Sequence, residues 1–266
     1  MKKSLIALAA LAATASFAQS SVQIDGIFDA GFQAIDYKGN KVNGIAGNGS
    51  STSQINFRGT EDLGGGLKAN FRVETDWNVV SNKANTGFVN ATNTTASTTA
   101  IATPVTLANA NSGGGTFGNG EIRVGLAGGF GAVDFGAVNY NSLGTALTGQ
   151  PFGTNYGSGF SGTLAGLVRS DNSVKYVSPS FSGLTVSLYT ANKQTKPNAS
   201  YANGGATSSP FLFDFTGSDE VGVNYANGPI AASYSNLKQK AASGVDTTYD
   251  TLGANYAIGA AKVYAL

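Results

Sequence analysis

The chain has 266 residues, a nearly balanced 16 basic and 15 acidic residues, and only 12% charged residues in all. This balance argues against nucleic acid as a partner, because non-specific binding depends on lysine and arginine neutralising many phosphates. The sequence contains no histidine and no cysteine, which excludes Ser-His-Asp and Cys-His catalysis, the commonest zinc ligand and a disulfide framework. We therefore expect a protein that is not an enzyme, uses no cofactor or metal and binds no nucleic acid.

The first 18 residues have the layout of a secretory signal peptide. Two lysines precede an apolar run from Leu5 to Ala15, and small residues lie three and one positions before a cut after Ala18. The run is shorter than the roughly 20 apolar residues that a membrane-spanning helix needs. We predict that residues 1–18 are removed, which leaves 14 of the 16 basic residues against 15 acidic ones in the mature domain, 19–266.

The first predicted strand begins almost at this cleavage site. Apolar residues from Val22 to Phe32 share one parity, while Gln23, Asp25 and Asp29 occupy the other. This period of two is typical of a strand with one apolar face.

The clearest hairpin follows between Gln54 and Glu74. Apolar residues alternate with polar ones on both sides of Gly64-Gly65-Gly66, and the polar parity carries arginine, lysine and carboxylates. A short glycine turn between two alternating segments predicts a β-hairpin. Glu61 and Asp62, next to the turn, are interpreted as turn chemistry.

The rest of the chain repeats one unit: strand, short turn, strand, long loop. Further short turns are predicted at Gly128-Gly129, within 171–191, at Asn227-Gly228-Pro229 and near Ile258-Gly259, and the predicted long segments are 81–119, 139–168 and 192–217. Bacterial outer-membrane barrels have long external loops and short periplasmic turns in this alternation. About eleven strands are present. Single-chain bacterial barrels close with an even number, so we expect a barrel that is incomplete at the C-terminus.

The alternation predicts a water-filled interior. In a bilayer every backbone polar group must be paired within the protein, so the strands must close on themselves. The inward parity carries charges that a dry interior would hold only at a heavy desolvation cost. We therefore predict an all-β, transmembrane antiparallel β-barrel with an aqueous channel. Each candidate pore-lining residue has a solvated rim or turn charge as its alternative role; the candidates are Arg58, Lys68, Arg72, Arg123, Arg169, Asp29, Glu74, Asp76 and Asp134.

Four segments together resemble one family, the general porins of beta-proteobacteria and Neisseria. The most specific is FRGTEDLGGGLKANFRVE at Phe57 to Glu74; the others are SSVQIDGIFDAG, VGLAGGFGAVDFG and DNSVKYVSPSFSGLTVSLY. The resemblance implies a sixteen-stranded barrel in the cell outer membrane, surrounded by its lipid and assembled as a homotrimer. It also implies passive diffusion of small hydrophilic solutes and ions.

In that family the third external loop folds into the barrel and places acids opposite basic wall residues. By similarity this loop is 139–168, but here it contains no aspartate or glutamate. The wall differs too, since Gln54 replaces a frequent arginine and Gly136-Ala137-Val138 replaces Gly-Arg-Gln. We therefore expect a weak ion preference at most.

Three other functions are alternatives to the diffusion channel. A β-solenoid adhesin or autotransporter-like surface protein would suit the Gly, Asn, Ser and Thr richness, but such a fold requires a fixed repeat, which the variable hairpin spacing lacks. A barrel enzyme would need a base other than histidine beside its nucleophile, and no spacing singles one out. A substrate-specific outer-membrane channel would place an aromatic track on the inward parity, whereas most aromatic residues lie on the outward one.

Overall fold

The computed structural model describes residues 21–37, 40–47, 50–77, 79–80, 117–151, 168–191, 215–241 and 244–266. The predicted signal peptide (1–18) lies outside these residues, as do most of the predicted loops 81–119 and 192–217. Within the described ranges, no helix combines the length and apolar character needed to cross a membrane.

Thirteen strands and one short helix are found in the described part of the chain. In chain order they are β1 (Ser21–Ile27), β2 (Ala30–Tyr37), β3 (Asn40–Gly47), β4 (Gln54–Gly64), β5 (Leu67–Asp76), β6 (Ile122–Gly128), β7 (Gly131–Asn139), α1 (Asn141–Thr148), β8 (Arg169–Val177), β9 (Leu184–Ala191), β10 (Phe215–Asn227), β11 (Ile230–Ala241), β12 (Thr247–Ile258) and β13 (Ala261–Ala265).

Eleven of these strands form one antiparallel sheet in the order β1-β4-β5-β6-β7-β8-β9-β10-β11-β12-β13. Almost every neighbour in the sheet is also a neighbour in sequence, as in an up-and-down arrangement. This confirms the predicted antiparallel fold, and the eleven strands of this sheet match the predicted count, whereas the hairpin of the other two strands was not predicted. The remaining two strands, β2 and β3, pair with each other in a separate two-stranded sheet.

The predicted continuous first strand is wrong at Phe28 and Asp29, where β1 ends and β2 begins. The Asp29 carboxylate Oδ2 accepts hydrogen bonds from the backbone N–H groups of Ser50 and Ser51 at 2.6 and 2.8 Å. The Asp29 N–H donates to the Ser53 hydroxyl at 2.9 Å. These side-chain contacts take the place of ladder bonds at this point, so the pairing is interrupted although the alternation of residues continues.

The hairpin between β4 and β5 is confirmed, including its glycine turn. Gly64, Gly65 and Gly66 have φ values of 85, 62 and 82°, a region that glycine enters at no steric cost. The Asp62 carboxylate accepts a hydrogen bond from the Gly64 N–H at 2.8 Å. This is the side-chain-to-backbone contact of an Asx turn, in agreement with the predicted turn chemistry.

The two faces of the main sheet differ in polarity, and the polar one is the more buried. Most of the fully buried residues are polar, whereas large apolar side chains such as Val22, Val124 and Leu252 are 71, 60 and 65% exposed. A water-soluble sheet shows the reverse distribution. We call the face that carries Arg58, Arg72 and their register partners the polar face, and the opposite one the apolar face.

The helix α1 was not predicted from the sequence, which had indicated only a Gly/Ser/Thr-rich segment at 139–168. It lies on the polar face, where it contacts β10, β11 and β12. The side chain of its N-cap residue, Tyr140, makes no capping hydrogen bond to the helix, and no acidic residue lies in its first turn. The usual sequence signals for a helix start are therefore missing.

Candidate functional site

Three predicted arginines lie side by side on the polar face. Strand register pairs Arg58 with Arg72 and Arg72 with Arg123, so they form a row across β4, β5 and β6. Lys68 shares their face but lies four residues closer to the turn, opposite Asp62, and is exposed. A row of three guanidinium groups repels itself unless anions separate its members.

Carboxylates separate two of the arginines. The Arg72 guanidinium lies 2.7 Å from Glu121 Oε2 and also donates to Glu74. Arg123 Nη1 lies 2.6 Å from Asp134 Oδ1, and its Nε lies 3.7 Å from Glu121 Oε2. We call these five residues the wall cluster. Charge-assisted bonds of this kind are stronger than neutral ones, and they hold both guanidinium groups against the wall.

Arg58 has a carboxylate partner of its own, which the sequence had not singled out. Asp25 of β1 lies 3.0 Å from Arg58 Nε, and it also accepts a hydrogen bond from the Asn56 amide at 3.0 Å. Each arginine of the row is thus in contact with at least one carboxylate. The row therefore carries much less net positive charge on the polar face than its three arginines would alone.

Arg169 and Asp76 lie near the wall cluster, at the ends of their strands. The Arg169 guanidinium donates to the Asn119 carbonyl at 2.9 Å and to the Asn139 side chain at 3.2 Å. The Asp76 N–H donates to the Asn119 side chain at 2.7 Å. Of the nine predicted residues, the structure brings Arg58, Arg72, Arg123, Arg169, Glu74, Asp76 and Asp134 into one region and leaves Lys68 near the turn and Asp29 at the β1–β2 break.

Three ionised side chains hold Asn139, the last residue of β7 and the start of the third loop. The Glu121 carboxylate Oε1 accepts from the Asn139 N–H at 3.0 Å, and the Lys175 ammonium donates to the Asn139 carbonyl at 2.9 Å. Arg169 binds the side chain of the same residue. The direction in which the chain leaves the sheet is therefore fixed by charged groups on β8 and beside β6.

A carboxylate three strands away from β7 in the sheet caps α1. Glu220 of β10 accepts hydrogen bonds from the backbone N–H groups of Asn141 and Ser142, the second at 2.7 Å, and from the Ser235 hydroxyl at 2.6 Å. A negative charge at a helix N-terminus satisfies donors that have no intrahelical partner and interacts favourably with the helix dipole. We call Glu220 and these three partners the helix anchor.

Small polar side chains pack the rest of α1 against the wall. The Thr145 hydroxyl lies 2.6 Å from that of Ser233, and the Asn255 amide donates to the Thr148 carbonyl at 2.8 Å. Gly253 of β12 allows the closest approach, because a Cβ there would lie 2.1 Å from the Thr145 carbonyl oxygen. The helix thus sits directly on the wall.

Tyr140 joins β7 to α1 and is 2% exposed. Its ring packs edge-on against Tyr189 with centroids 4.8 Å apart, within a small apolar cluster that also contains Val138, Ala191 and Leu237. Its hydroxyl hydrogen-bonds to Ser170 and, at 2.9 Å, to Ser218. Burial raises the pKa of the Tyr140 phenol, so the group stays neutral and available for both bonds at physiological pH.

Replacing Tyr140 by phenylalanine is expected to lower the free energy of unfolding by about 1–2 kcal/mol, because the Ser170 and Ser218 hydroxyls lose their bonds to the phenol and keep only the longer 3.3 Å contact with each other. Thermal unfolding in detergent, followed by circular dichroism, measures the change. Tyr176→Phe is the matched control, since the Tyr176 hydroxyl is bonded to the Phe130 carbonyl at an exposed position. An equal loss in the two variants would contradict the role assigned to the buried bonds.

Sequence reasoning missed four charged residues of this region: Asp25, Glu121, Lys175 and Glu220. Three of them had a usable signal, because they alternate with the apolar residues of β1, β8 and β10 and so belong to the inward parity. Glu121 had the same signal, since it shares the parity of Arg123, although it precedes β6 and has no ladder partner. Its role is visible only from its contacts with Arg72 and Asn139.

Comparison with known proteins agrees with this arrangement. The family model described as "Gram-negative porin" matches residues 4–266. Outer membrane porin protein 32 of Delftia acidovorans is 33% identical over 100% of this chain and 69% of its own length. The major outer membrane protein P.IB of Neisseria gonorrhoeae is 29% identical over 92% of this chain and 59% of its own length.

Solved structures show the same fold. The anion-selective porin from Comamonas acidovorans aligns with a TM-score of 0.59 at 29% identity, over 92% of this chain and 66% of that one. Salmonella typhi OmpF in complex with daunomycin aligns with a TM-score of 0.54 at 14% identity, over 91% of this chain and 63% of that one.

The chain spans about 60 to 70% of the length of these relatives. Their family consists of channels rather than enzymes, and their place is the outer membrane. An antiparallel sheet with an exposed apolar face, a charged polar face and a loop helix on that polar face is consistent with such a protein. Because the family model matches nearly the whole length of this chain, the chain belongs to the Gram-negative porins of the outer membrane.

Proposed function

We propose that this protein is a passive diffusion channel for small hydrophilic solutes and ions across the outer membrane. The observation that carries the proposal is the distribution of charge: arginines and carboxylates cluster on one face of the sheet while large apolar side chains are exposed on the other. Lipid contact accounts for the apolar face, and an aqueous lumen accounts for the polar one. The nine predicted residues and the four missed ones are the proposed pore wall.

The pairing of charges supports a weak ion preference. The three arginines of the row contact four carboxylates, namely Asp25, Glu74, Glu121 and Asp134. An ion passing paired charges experiences a smaller potential than one passing isolated charges. The Comamonas acidovorans structure is of an anion-selective porin; we propose a less selective channel here. Removal of residues 1–18 and assembly as a homotrimer also belong to the proposal, by resemblance to the family.

Recordings from planar lipid bilayers test this function. The purified protein is expected to produce stepwise increases in conductance and, under a tenfold potassium chloride gradient, a reversal potential that is small compared with the Nernst potential. The same preparation after heat denaturation is the control. A reversal potential close to the Nernst value would contradict the weak preference but not the channel, whereas the lack of any conductance step would overturn the channel itself.

A further inference from the structure

The Glu121 carboxylate has two sets of partners, one on each oxygen. Oε2 faces the wall arginines, at 2.7 Å from Arg72 and 3.7 Å from Arg123. Oε1 faces the third loop and accepts from the Asn139 N–H at 3.0 Å. The side chain is 8% exposed, so these partners, rather than water, account for most of its surroundings.

The position of Glu121 is itself fixed by backbone contacts. Its carbonyl accepts a hydrogen bond from the Glu74 N–H at 2.9 Å. The N–H of the preceding residue, Gly120, donates to the Glu74 carbonyl at 3.0 Å. These two bonds extend the β5–β6 pairing by a short distance beyond the end of the ladder. A carboxylate on a fixed backbone holds its partners within a narrow geometry.

We propose that Glu121 is a positioning residue that couples the third loop to the charge of the wall. One oxygen fixes the direction in which the loop leaves β7, and the other neutralises Arg72 and Arg123. The loop itself carries no charge between Asn139 and Val168. The ion preference of this channel is therefore set within the wall, by the residue that also directs the loop. This inference rests on the proposed channel function.

Two substitutions separate the two roles. Glu121→Gln removes the charge and keeps a carbonyl oxygen for the Asn139 N–H, while Arg72 and Arg123 retain Glu74 and Asp134 as partners. Glu121→Asp keeps the charge for the arginines, but its side chain is shorter by one methylene group. It therefore cannot contact Arg72 and Asn139 at the same time. The first variant changes the wall charge, and the second changes the hold on the loop.

Bilayer recordings under a potassium chloride gradient give a different expected result for each variant. Glu121→Gln is expected to shift the anion-to-cation permeability ratio about two- to threefold towards anions, the effect of one added positive charge on the polar face in partly screened water. Its open-channel noise should stay at the wild-type level. Glu121→Asp is expected to keep the wild-type selectivity and to show larger open-channel noise, since the loop is held less firmly.

Glu61→Gln is the matched control, because Glu61 is an exposed glutamate on the apolar parity of β4 with Ala69 as its register partner. It should behave as wild type in selectivity and noise. Unchanged selectivity in Glu121→Gln would overturn the charge role, and unchanged noise in Glu121→Asp would overturn the positioning role. The two variants test the two roles independently, so if one variant fails to fold, the other still tests its own role. A wild-type protein without conductance would overturn the proposed function, and this inference with it.

Discussion

Replacement of Glu220 by alanine is expected to detach α1 from the wall and to give a larger and noisier open-channel current. The substitution removes the acceptor for the Asn141 and Ser142 N–H groups and for the Ser235 hydroxyl. Hydrogen bonds to a charged group contribute about 1.5–3 kcal/mol each, so we expect a loss of about 3–5 kcal/mol after relaxation. A loss of that size shifts the attachment equilibrium more than about a hundredfold.

Asp219→Ala is the matched control for this experiment. Asp219 is the residue before Glu220, but it lies on the opposite face and pairs with Lys240 and Thr190 at exposed positions. Exposed pairs of this kind contribute little to stability, so its conductance should equal that of wild type. Single-channel recordings measure both variants, and circular dichroism verifies that the sheet is retained. A wild-type current in Glu220→Ala would show that the remaining contacts of α1 hold it without the anchor.

Gly253→Val is expected to have the opposite effect and to reduce the single-channel conductance. A Cβ at this position would lie 2.1 Å from the Thr145 carbonyl oxygen and 2.9 Å from the Gly149 backbone nitrogen. Both neighbours are backbone atoms, which cannot move aside as a flexible side chain does. The helix must therefore move off the wall, towards the channel, and the aqueous cross-section shrinks.

Gly144→Ala is the control for an added side chain on α1 itself. Gly144 is exposed, and a Cβ there meets nothing within 4 Å. Alanine at an unstrained helical position should raise stability by about 0.5–1 kcal/mol and leave the conductance unchanged. If Gly253→Val conducts as wild type does, β12 rather than α1 gives way, and the close contact does not determine the channel width.

The sheet could be predicted from the sequence because its signals are local. The alternation on both sides of Gly64-Gly65-Gly66 fixes which side chains share a face, and the structure places Arg58 and Arg72 opposite each other as that pattern requires. The break at Asp29 could not be predicted, because the alternation runs through it. What interrupts pairing there is a set of bonds to residues more than 20 positions away.

The helix and its anchor were beyond sequence reasoning for a similar reason. The group that caps α1 is Glu220, 79 residues after Asn141 in the chain. No residue next to the helix start provides the usual cap. A helix of this kind forms because the wall is already in place, so its signal is tertiary rather than local.

The sheet binds α1 mainly through hydrogen bonds to the N-terminal backbone of the helix and to one side of it, at Asn141 and Thr145. Gly144 and Leu147, on the other side, are exposed. Substitutions at these two positions can therefore introduce an acid, a base or an aromatic ring without breaking the contacts that hold the helix. Single substitutions at Gly144 or Leu147 would therefore change the exposed side of α1 while the contacts that attach the helix to the sheet stay the same.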